Sequence, residues 1–334
     1  MPTGPDYWLP LVFLALMGLA FFLYAVLDGY DLGVGMLLPH NDEEQRDVMI
    51  ASIGPFWDAN ETWLVLAVGL LFIAFPAAHS TILQNLYLPA ALMLAGLILR
   101  GVAFDFRAKA PGNHKRGWDW AFNAGSIIAA TTQGYMLGRY VLGFADTWQA
   151  YAFAVLSAVC VAAAYCFIGA AWLVMKTEGE LQHRARRWAR CCAWLMALGI
   201  VSVTAVNLSI SDRIWERWFA LPEVIVLLPI PILCGFLFVV VDRYLSHFPH
   251  HNEFGCWIPF AAAVTIFLLC FQALAYSFSP YVVPEVMTVW EAASASVSLQ
   301  FVLYGAVIVV PTIIAYTVFS YRVFWGKTTD LRYY

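Results

Sequence analysis

The sequence predicts an all-α integral membrane protein, and three observations lead to this prediction. Hydrophobic residues make up 62% of the 334 positions and charged residues only 12%, and the mean hydropathy is +0.73. A soluble domain carries roughly a quarter charged residues, so an ordinary soluble globule is excluded. Uncharged runs long enough for a bilayer-spanning helix, which needs about 20 residues, recur along the chain. We therefore expect one transmembrane helical bundle over residues 1–334.

Nine transmembrane spans are predicted. Seven uncharged runs each fit one crossing, whereas the run over residues 62–99 is nearly twice too long. A turn signal begins at Phe75-Pro76, so that run is divided into two spans. The predicted spans are residues 7–27, 56–78, 80–100, 120–138, 147–175, 191–211, 222–241, 256–279 and 295–321. Most of the fourteen tryptophans lie near these ends, where indole prefers the headgroup boundary.

The positive charges predict the orientation of the bundle. With the N-terminus outside, fifteen of the eighteen Lys and Arg residues fall in cytoplasmic segments. The three that remain outside are Arg139, Arg213 and Arg217. Because Lys and Arg are enriched in cytoplasmic loops of membrane proteins, we expect a periplasmic N-terminus and a cytoplasmic C-terminus.

Charged residues gather at the cytoplasmic ends of the first three predicted spans. They are Asp28 and Asp31 after the first span, Asp58 and Glu61 opening the second, and Arg100 and Asp105 closing the third. A charge in the hydrocarbon costs roughly 2.5–3.5 kcal/mol on insertion scales, so such groups normally pair or line a hydrated cavity. The layer therefore indicates a polar inlet from the cytoplasm. The alternative is that these side chains lie at the headgroup level, where a charge is cheap.

Asp58 is the strongest single candidate for this inlet. Trp57 and Trp63 flank it, and an apolar run follows directly, so we expect desolvation to adapt Asp58 for proton exchange. For Glu61, Arg100 and Asp105 the two interpretations are equally open.

Histidine and cysteine placement argues against a redox metal held by this chain alone. Membrane haems need axial ligands at depth, usually His or Met. Six of the seven histidines lie in predicted loops, and His79 lies at an external turn. The seven cysteines fall in apolar runs without a C-x-x-C pair, which indicates small buried residues. We expect no metal site, and a net charge of -4 without a basic block excludes nucleic acid as a partner.

Several strings of the sequence resemble subunit II of the cytochrome bd-type quinol oxidases. They are Leu27–Gly35, Pro55–Trp63, Arg100–Arg107, Trp118–Trp120, Lys176–Leu181 and Thr288–Ser294, spread over nearly the whole chain. The resemblance implies a nine-helix subunit that forms a heterodimer with a haem-bearing subunit I in the bacterial cytoplasmic membrane. Such a complex oxidises quinol and reduces dioxygen to water, taking its protons from the cytoplasm and thereby generating a membrane potential.

The resemblance also implies cofactors and roles for particular residues. Two haem b groups and one haem d are expected in the complex, ligated mainly by subunit I, so that the isolated chain is not catalytic. Protons would pass partly through this subunit, with Asp58 and Trp63 taking part. The other candidate path residues are Glu61, Asp28, Asp31, Arg100 and Asp105. Trp57 is expected to pack near a haem, and the further partners are small accessory subunits, quinol and lipid.

Two other classes of function stay open on the sequence. A proton- or cation-coupled secondary transporter would use the acidic layer as its ion site. Transporters typically place such groups near the midplane on broken helices, often in two related halves, and we see no matching half here. A purely structural membrane scaffold is the third class, and the acidic layer disfavours it. Co-purification with a haem-bearing partner distinguishes the oxidase subunit from both.

Overall fold

The computed structural model describes residues 4–210, 212–221, 223–247 and 255–328, and these residues are mostly helical. The long helices are α1 (Pro5–Met36), α3 (Trp57–Ala74), α4 (Pro76–Lys109), α5 (Gly112–Val141), α6 (Trp148–Lys176), α7 (Gly179–Ile210), α10 (Pro229–Ser246), α11 (Ile258–Phe278) and α13 (Ser296–Val323). The short helices are α2 (Glu43–Ile53), α8 (Asp212–Phe219), α9 (Glu223–Leu227) and α12 (Val289–Ala292). Strand β1 (Tyr281–Val283) pairs antiparallel with β2 (Met287–Thr288).

Eight helices in the described part of the chain are long and apolar enough to cross a membrane. They are α1, α3, α4, α6, α7, α10, α11 and α13. This agrees with the predicted all-α integral membrane protein. The remaining predicted span, residues 120–138, lies within the 30-residue helix α5, which carries more polar side chains. Helix α5 packs against both α4 and α6 in the bundle.

Helices α1 and α4 extend beyond their predicted cytoplasmic ends. Helix α1 continues to Met36 rather than stopping near residue 27, and α4 continues to Lys109 rather than 100. An uncharged run stops at its first charge, whereas a helix continues where its charged side chains find partners inside the protein. Asp28, Asp31 and Arg100 consequently lie within helices and not at their ends.

Prolines affect two of the predicted spans differently. The span predicted over residues 222–241 is interrupted at Leu228, and Pro229 begins α10. Proline lacks a backbone N–H and fits best in the first turn of a helix, which explains the position of the break. Helix α13 instead runs through Pro311. Residues 211 and 222, at the edges of two predicted spans, lie outside the described residues.

Helices α1 and α6 cross in direct backbone contact. A Cβ atom placed on Gly33 would lie 1.8 Å from the carbonyl oxygen of Tyr165, and one on Gly169 would lie 2.6 Å from the Gly33 backbone. Helices in a bilayer associate largely through van der Waals packing, which small residues permit by allowing close approach. Gly29 similarly faces the Tyr165 ring, with its Cβ position 2.8 Å from Cε1. These glycines therefore bring Tyr165 beside the charged part of α1.

A cluster of ion pairs attaches α2 to the end of α4 and the start of α5. Asp119 is 5% exposed and accepts hydrogen bonds from Arg46 Nε at 2.7 Å and from Arg107 Nε. Asp47 accepts from Arg107 at 2.6 Å and from Lys115 at 2.9 Å. Burial tends to raise the pKa of Asp47, but the hydrogen bonds from Lys115 and Arg107 lower it overall. The cluster fixes α2 beside the helix that carries Arg100.

Asp119→Asn is expected to lower the melting temperature of the purified protein. The substitution removes the carboxylate that accepts from the buried guanidinium groups of Arg46 and Arg107. Removing one partner of a buried ion pair destabilises a protein by about 3–5 kcal/mol. Asp47→Asn is the matched control with a smaller expected effect, because the Asp47 side chain is 46% exposed. Equal melting temperatures for the two variants would contradict the central position of Asp119.

Candidate functional site

Helices α1, α3 and α4 bring predicted site residues into one buried cluster. Arg100 is 1% exposed, and its Nη2 donates to Asp28 Oδ1 at 2.6 Å and also to Glu61 Oε1. The Asp28 side chain is fully buried, whereas that of Glu61 is 27% exposed. One guanidinium group therefore joins a carboxylate at the surface of the chain to one in its interior.

Asn60 extends the cluster to Asp31 and to the last helix. Asn60 and Asp31 are both completely buried, and Asn60 Nδ2 donates to Asp31 Oδ2 at 2.8 Å and to Tyr30 Oη at 3.0 Å. The hydroxyls of Tyr30 and Tyr321 share a hydrogen bond of 2.6 Å, and Tyr321 Oη donates to Asn60 Oδ1 at 3.2 Å. Helix α13 is thereby tied to α1 and α3 beside the carboxylates.

The charges of the cluster do not balance. The three carboxyl groups of Asp28, Asp31 and Glu61 share the single guanidinium of Arg100. An uncompensated charge is strongly unfavourable in a low-dielectric interior. A carboxylate that binds a proton loses its charge, so the cluster can be neutralised by a transferable proton. Several buried atoms also lack a hydrogen-bond partner among the described residues, namely Asp28 Oδ2, Asp31 Oδ1, Trp63 Nε1, and Nε and Nη1 of Arg100. Buried polar atoms of this kind are typically satisfied by ordered water, so the cluster can be a hydrated proton-exchanging site.

Asp58 and Asp105 lie outside this buried cluster. Asp58 is exposed in the first turn of α3, one turn before Glu61, and Asp105 is exposed on α4. The expected desolvation of Asp58 is therefore wrong for the isolated chain. Asp58 and the buried Trp63 are five residues apart, which places them about 140° apart around a helix. Flanking tryptophans consequently do not enclose Asp58.

The two candidate tryptophans have different environments. Trp63 is 1% exposed and belongs to an interior apolar cluster with Tyr24 and Ala67. Trp57 is half-buried, and its ring centroid lies 5.0 Å from that of Phe104 on α4. Trp63 therefore packs in the apolar interior of the bundle, while Trp57 packs against α4 and stays partly exposed.

Three residues of this network were not predicted from the sequence: Tyr30, Asn60 and Tyr321. An amide inside an apolar helix is a usable signal, and Asn60 lies between two predicted site residues. Tyr321 is 261 positions away from Asn60, and no local pattern pairs residues at that separation. Only the packing of α13 against α1 reveals this contact.

Comparison with known proteins assigns the chain to a family. Residues 9–324 match the family described as cytochrome bd terminal oxidase subunit II. The chain belongs to this family. Cytochrome bd ubiquinol oxidase subunit 2 of Bacillus subtilis (strain 168) is 30% identical, with 97% of this chain and 96% of that protein covered. Cytochrome bd-I ubiquinol oxidase subunit 2 of Escherichia coli (strain K12) is 29% identical, with coverages of 94% and 93%.

A solved structure has the same fold. The bd oxidase from Geobacillus thermodenitrificans superposes with a TM-score of 0.76 over 95% of this chain and 98% of that chain, at 15% sequence identity. As a bd-type subunit II, the chain is part of a multi-subunit terminal oxidase of the bacterial cytoplasmic membrane and has a subunit I as its partner. The resemblance noted in the sequence is therefore confirmed. The family does not support the secondary-transporter alternative.

The histidines of this bd-type subunit lie away from the buried cluster. The described ones are His40 in a turn, and His79, His114, His183 and His247 near helix ends. His250 and His251 lie outside the described residues. In the part of the chain that the structure describes, no group of three or more His, Cys, Asp or Glu residues is arranged to hold a metal ion. The described histidines therefore do not fit haem ligation within the spans of this chain.

Proposed function

We propose that this chain carries protons from the cytoplasm toward a haem-bearing subunit I in a quinol-oxidising, dioxygen-reducing bd-type oxidase. The observation that supports this role most directly is the Arg100 bridge between the partly exposed Glu61 and the buried Asp28. Reduction of dioxygen to water consumes protons, and ionisable groups buried within membrane helices typically form proton relays. The charge imbalance of the cluster supplies the exchangeable proton.

The proposal includes one bundle of nine spans with a periplasmic N-terminus and a cytoplasmic C-terminus. Helix α5 is the additional span, since its 30 residues extend for about 45 Å, more than the hydrocarbon core requires. The excess of Lys and Arg in the resulting cytoplasmic segments supports the orientation. In this arrangement the end of α1, the start of α3 and the end of α4 all face the cytoplasm, the source of the protons.

We order the path from the exposed to the buried groups. Asp58 receives protons at the start of α3, and Glu61 lies one turn further into the bundle. Through ordered water held beside Arg100, which stays protonated and positions both carboxyl groups, Glu61 exchanges protons with Asp28, and Asp31 forms the second buried acceptor. Trp63 closes the apolar side of the cluster. Asp105, exposed at the same end, adds negative potential that attracts cations to the entrance.

The cofactors and the quinol belong to the partner in this proposal. Two haem b groups and one haem d would be held mainly by subunit I, because the described histidines of this chain lie near helix ends or in a turn. Trp57 offers the exposed part of its ring to a haem of the partner, and the isolated chain does not catalyse the reaction. Small accessory subunits, lipid and quinol complete the assembly.

Glu61→Gln in the intact complex tests the proposed path. The variant keeps the shape of the side chain and removes its titration, so quinol oxidase turnover should fall by about a hundredfold, the lower end of what a positioned proton-transfer group contributes. Haem content, measured from the absorption spectrum, should stay normal. Asp58→Asn should lower turnover less, because water can replace an exposed carboxylate. Oxygen consumption and proton uptake from the cytoplasmic side are measured in proteoliposomes.

Glu44→Gln is the matched control, since Glu44 is an exposed carboxylate on α2 outside the cluster. It should leave turnover unchanged. Normal turnover in a fully haem-loaded Glu61→Gln complex would show that protons enter elsewhere. Loss of haem in that variant would instead assign Glu61 a structural role and contradict the proposal.

A further inference from the structure

The segment that follows α13 folds back onto the end of α6. Lys176, the last residue of α6, donates through Nζ to the carbonyl oxygens of Phe324 at 2.9 Å and of Gly326 at 3.1 Å. In the opposite direction, Thr328 Oγ1 donates to the carbonyl oxygen of Lys176 at 3.0 Å. The last carbonyl groups of a helix have no partner inside that helix. The ends of α6 and α13 therefore cap each other.

Lys176 holds a buried positive charge between carbonyl groups and aromatic rings. The residue is 4% exposed, and its ammonium nitrogen lies 5.1 Å from the ring centroid of Trp172 and 5.7 Å from that of Phe56. A desolvated cation is attracted to the face of an aromatic ring and to the negative end of a helix. The rings and the carbonyl groups after α13 therefore hold the ammonium group from two sides, and removing its charge releases the segment after α13.

The two rings that contact Lys176 belong to a group of four that positions Tyr321. The Tyr321 ring is stacked on that of Phe56 with a centroid distance of 4.5 Å, and Trp172 is stacked on Tyr30 at 4.3 Å. Phe56 and Trp172 meet edge to face at 5.7 Å, which joins the two stacks. A change at Lys176 therefore reaches Tyr321 through its neighbouring ring.

Helix α13 has few other buried anchors within the described chain. Of its 28 residues, only Leu299, Val310 and Ser320 are buried. Phe324, whose carbonyl group accepts from Lys176, follows Tyr321 by three residues, which is about one helical turn. A displacement of the segment after α13 therefore moves Tyr321 as well.

The hydroxyl of Tyr321 closes a ring of three hydrogen bonds with Asn60 and Tyr30. Tyr321 Oη donates its single hydrogen to Asn60 Oδ1 at 3.2 Å, so it accepts in its 2.6 Å bond with Tyr30. Tyr30 Oη in turn accepts from Asn60 Nδ2 at 3.0 Å. The ring fixes which way the Asn60 amide faces, and Nδ2 thereby donates to Asp31 Oδ2 at 2.8 Å. An amide turned by half a rotation would place its oxygen, which only accepts, against that carboxylate.

We propose that Lys176 is a positioning residue for the proton path. It fixes the segment after α13 on the end of α6, and through Tyr321 it keeps the Asn60 amide donating to Asp31. The inference rests on the proposed path, in which Asp31 is the second buried acceptor. The printed distances place the ammonium group against carbonyl oxygens and aromatic rings, so its effect on Asp31 is transmitted by Tyr321 and Asn60.

Lys176→Met in the intact complex is the direct test. Methionine has a similar length but cannot donate to the carbonyl groups after α13. The kcat of quinol oxidation should fall about tenfold, the factor that corresponds to one net hydrogen bond. The KM for quinol and the haem content should keep their wild-type values. Lys109→Met, at an exposed position at the end of α4, is the control and should leave kcat unchanged. A wild-type kcat in a haem-loaded Lys176→Met complex would overturn the inference.

Combining Lys176→Met with Tyr321→Phe shows whether the lysine acts through the tyrosine. Phenylalanine keeps the stacked ring and removes the hydroxyl, so this single variant should also lower kcat about tenfold. The double variant should fall no further than either single variant, because both changes release the same amide. A double variant whose loss equals the product of the two single losses would overturn the inference.

Gly326→Ala loosens the same segment without removing the buried charge, and it decides the question if Lys176→Met does not assemble. Gly326 has a φ of 122°, which residues with a side chain rarely adopt, and no heavy atom of the described chain lies within 4 Å of its Cβ position. Alanine therefore changes the turn without a clash. The kcat should fall severalfold at normal haem content, and a wild-type kcat would overturn the inference.

These outcomes are separate from the test of the path itself. Normal turnover of Glu61→Gln refutes the path. Lowered turnover of Glu61→Gln together with a wild-type kcat of Lys176→Met refutes only the role of Lys176.

Discussion

Gly33→Ala is expected to abolish assembly of the oxidase complex. The new Cβ atom would lie 1.8 Å from the carbonyl oxygen of Tyr165 and 3.1 Å from the Gly169 Cα. Both obstacles are main-chain atoms, so α1 and α6 have to separate. Overpacking typically costs about 1–3 kcal/mol in a core where side chains can move aside. At a crossing of two backbones no side chain can move aside, so we expect a larger cost. The yield of haem-loaded complex, measured from its absorption spectrum after purification, reports the loss.

Gly69→Ala is the matched control on another membrane helix. No heavy atom of the described chain lies within 4 Å of its Cβ position on α3. Alanine is also the better helix former by about 1 kcal/mol. The yield of this complex should therefore equal that of the wild type. A normal yield of the Gly33→Ala complex would show that α1 and α6 are further apart than described.

Arg100→Gln is expected to have the second largest effect. The substitution leaves the buried Asp28 and the half-buried Glu61 without their shared guanidinium. Removing one partner of a buried ion pair destabilises a protein by about 3–5 kcal/mol, because the other charge stays buried without compensation. The melting temperature of the purified complex should fall, and turnover should fall with it.

The double variant Asp28→Asn/Arg100→Gln separates charge balance from proton transfer. Removing both charges relieves the uncompensated carboxylate, so the melting temperature should return most of the way to that of the wild type. Turnover should stay low, because Asp28 no longer titrates. A double variant as unstable as Arg100→Gln alone would contradict a direct pairing. Recovery of turnover would exclude Asp28 from the path.

The membrane character and the family follow from the sequence, because both depend on local composition. Runs of about 20 uncharged residues are sufficient to indicate a spanning helix, wherever the helix packs. Eight of the predicted spans correspond to helices of the required length and hydropathy. The strings around Asp28, Asp58 and Arg100 were also sufficient to indicate the bd-type subunit II family.

Burial and pairing of the charged residues were decided by the tertiary structure. Asp58 and Glu61 look equivalent in the sequence, yet only Glu61 forms an ion pair with Arg100. Because the two residues are three positions apart on α3, their side chains leave the helix in different directions, and only that of Glu61 meets α4. The predicted ends of α1 and α4 were too early for the same reason: a charge ends an apolar run, but not a helix that can pair it internally.

The hydrogen-bond partners also depend on contacts between distant segments. Tyr321 meets Asn60 across 261 positions, and Gln133 meets Tyr24 across 109. Periodicity and hydropathy describe one helix at a time, whereas these contacts depend on how closely two helices approach and on their rotation about their axes. At the α1–α6 crossing the approach is set by backbone contact at Gly33 and Gly169. The sequence by itself therefore determined which segments enter the membrane, and the packing of those segments determined which acids can share a proton.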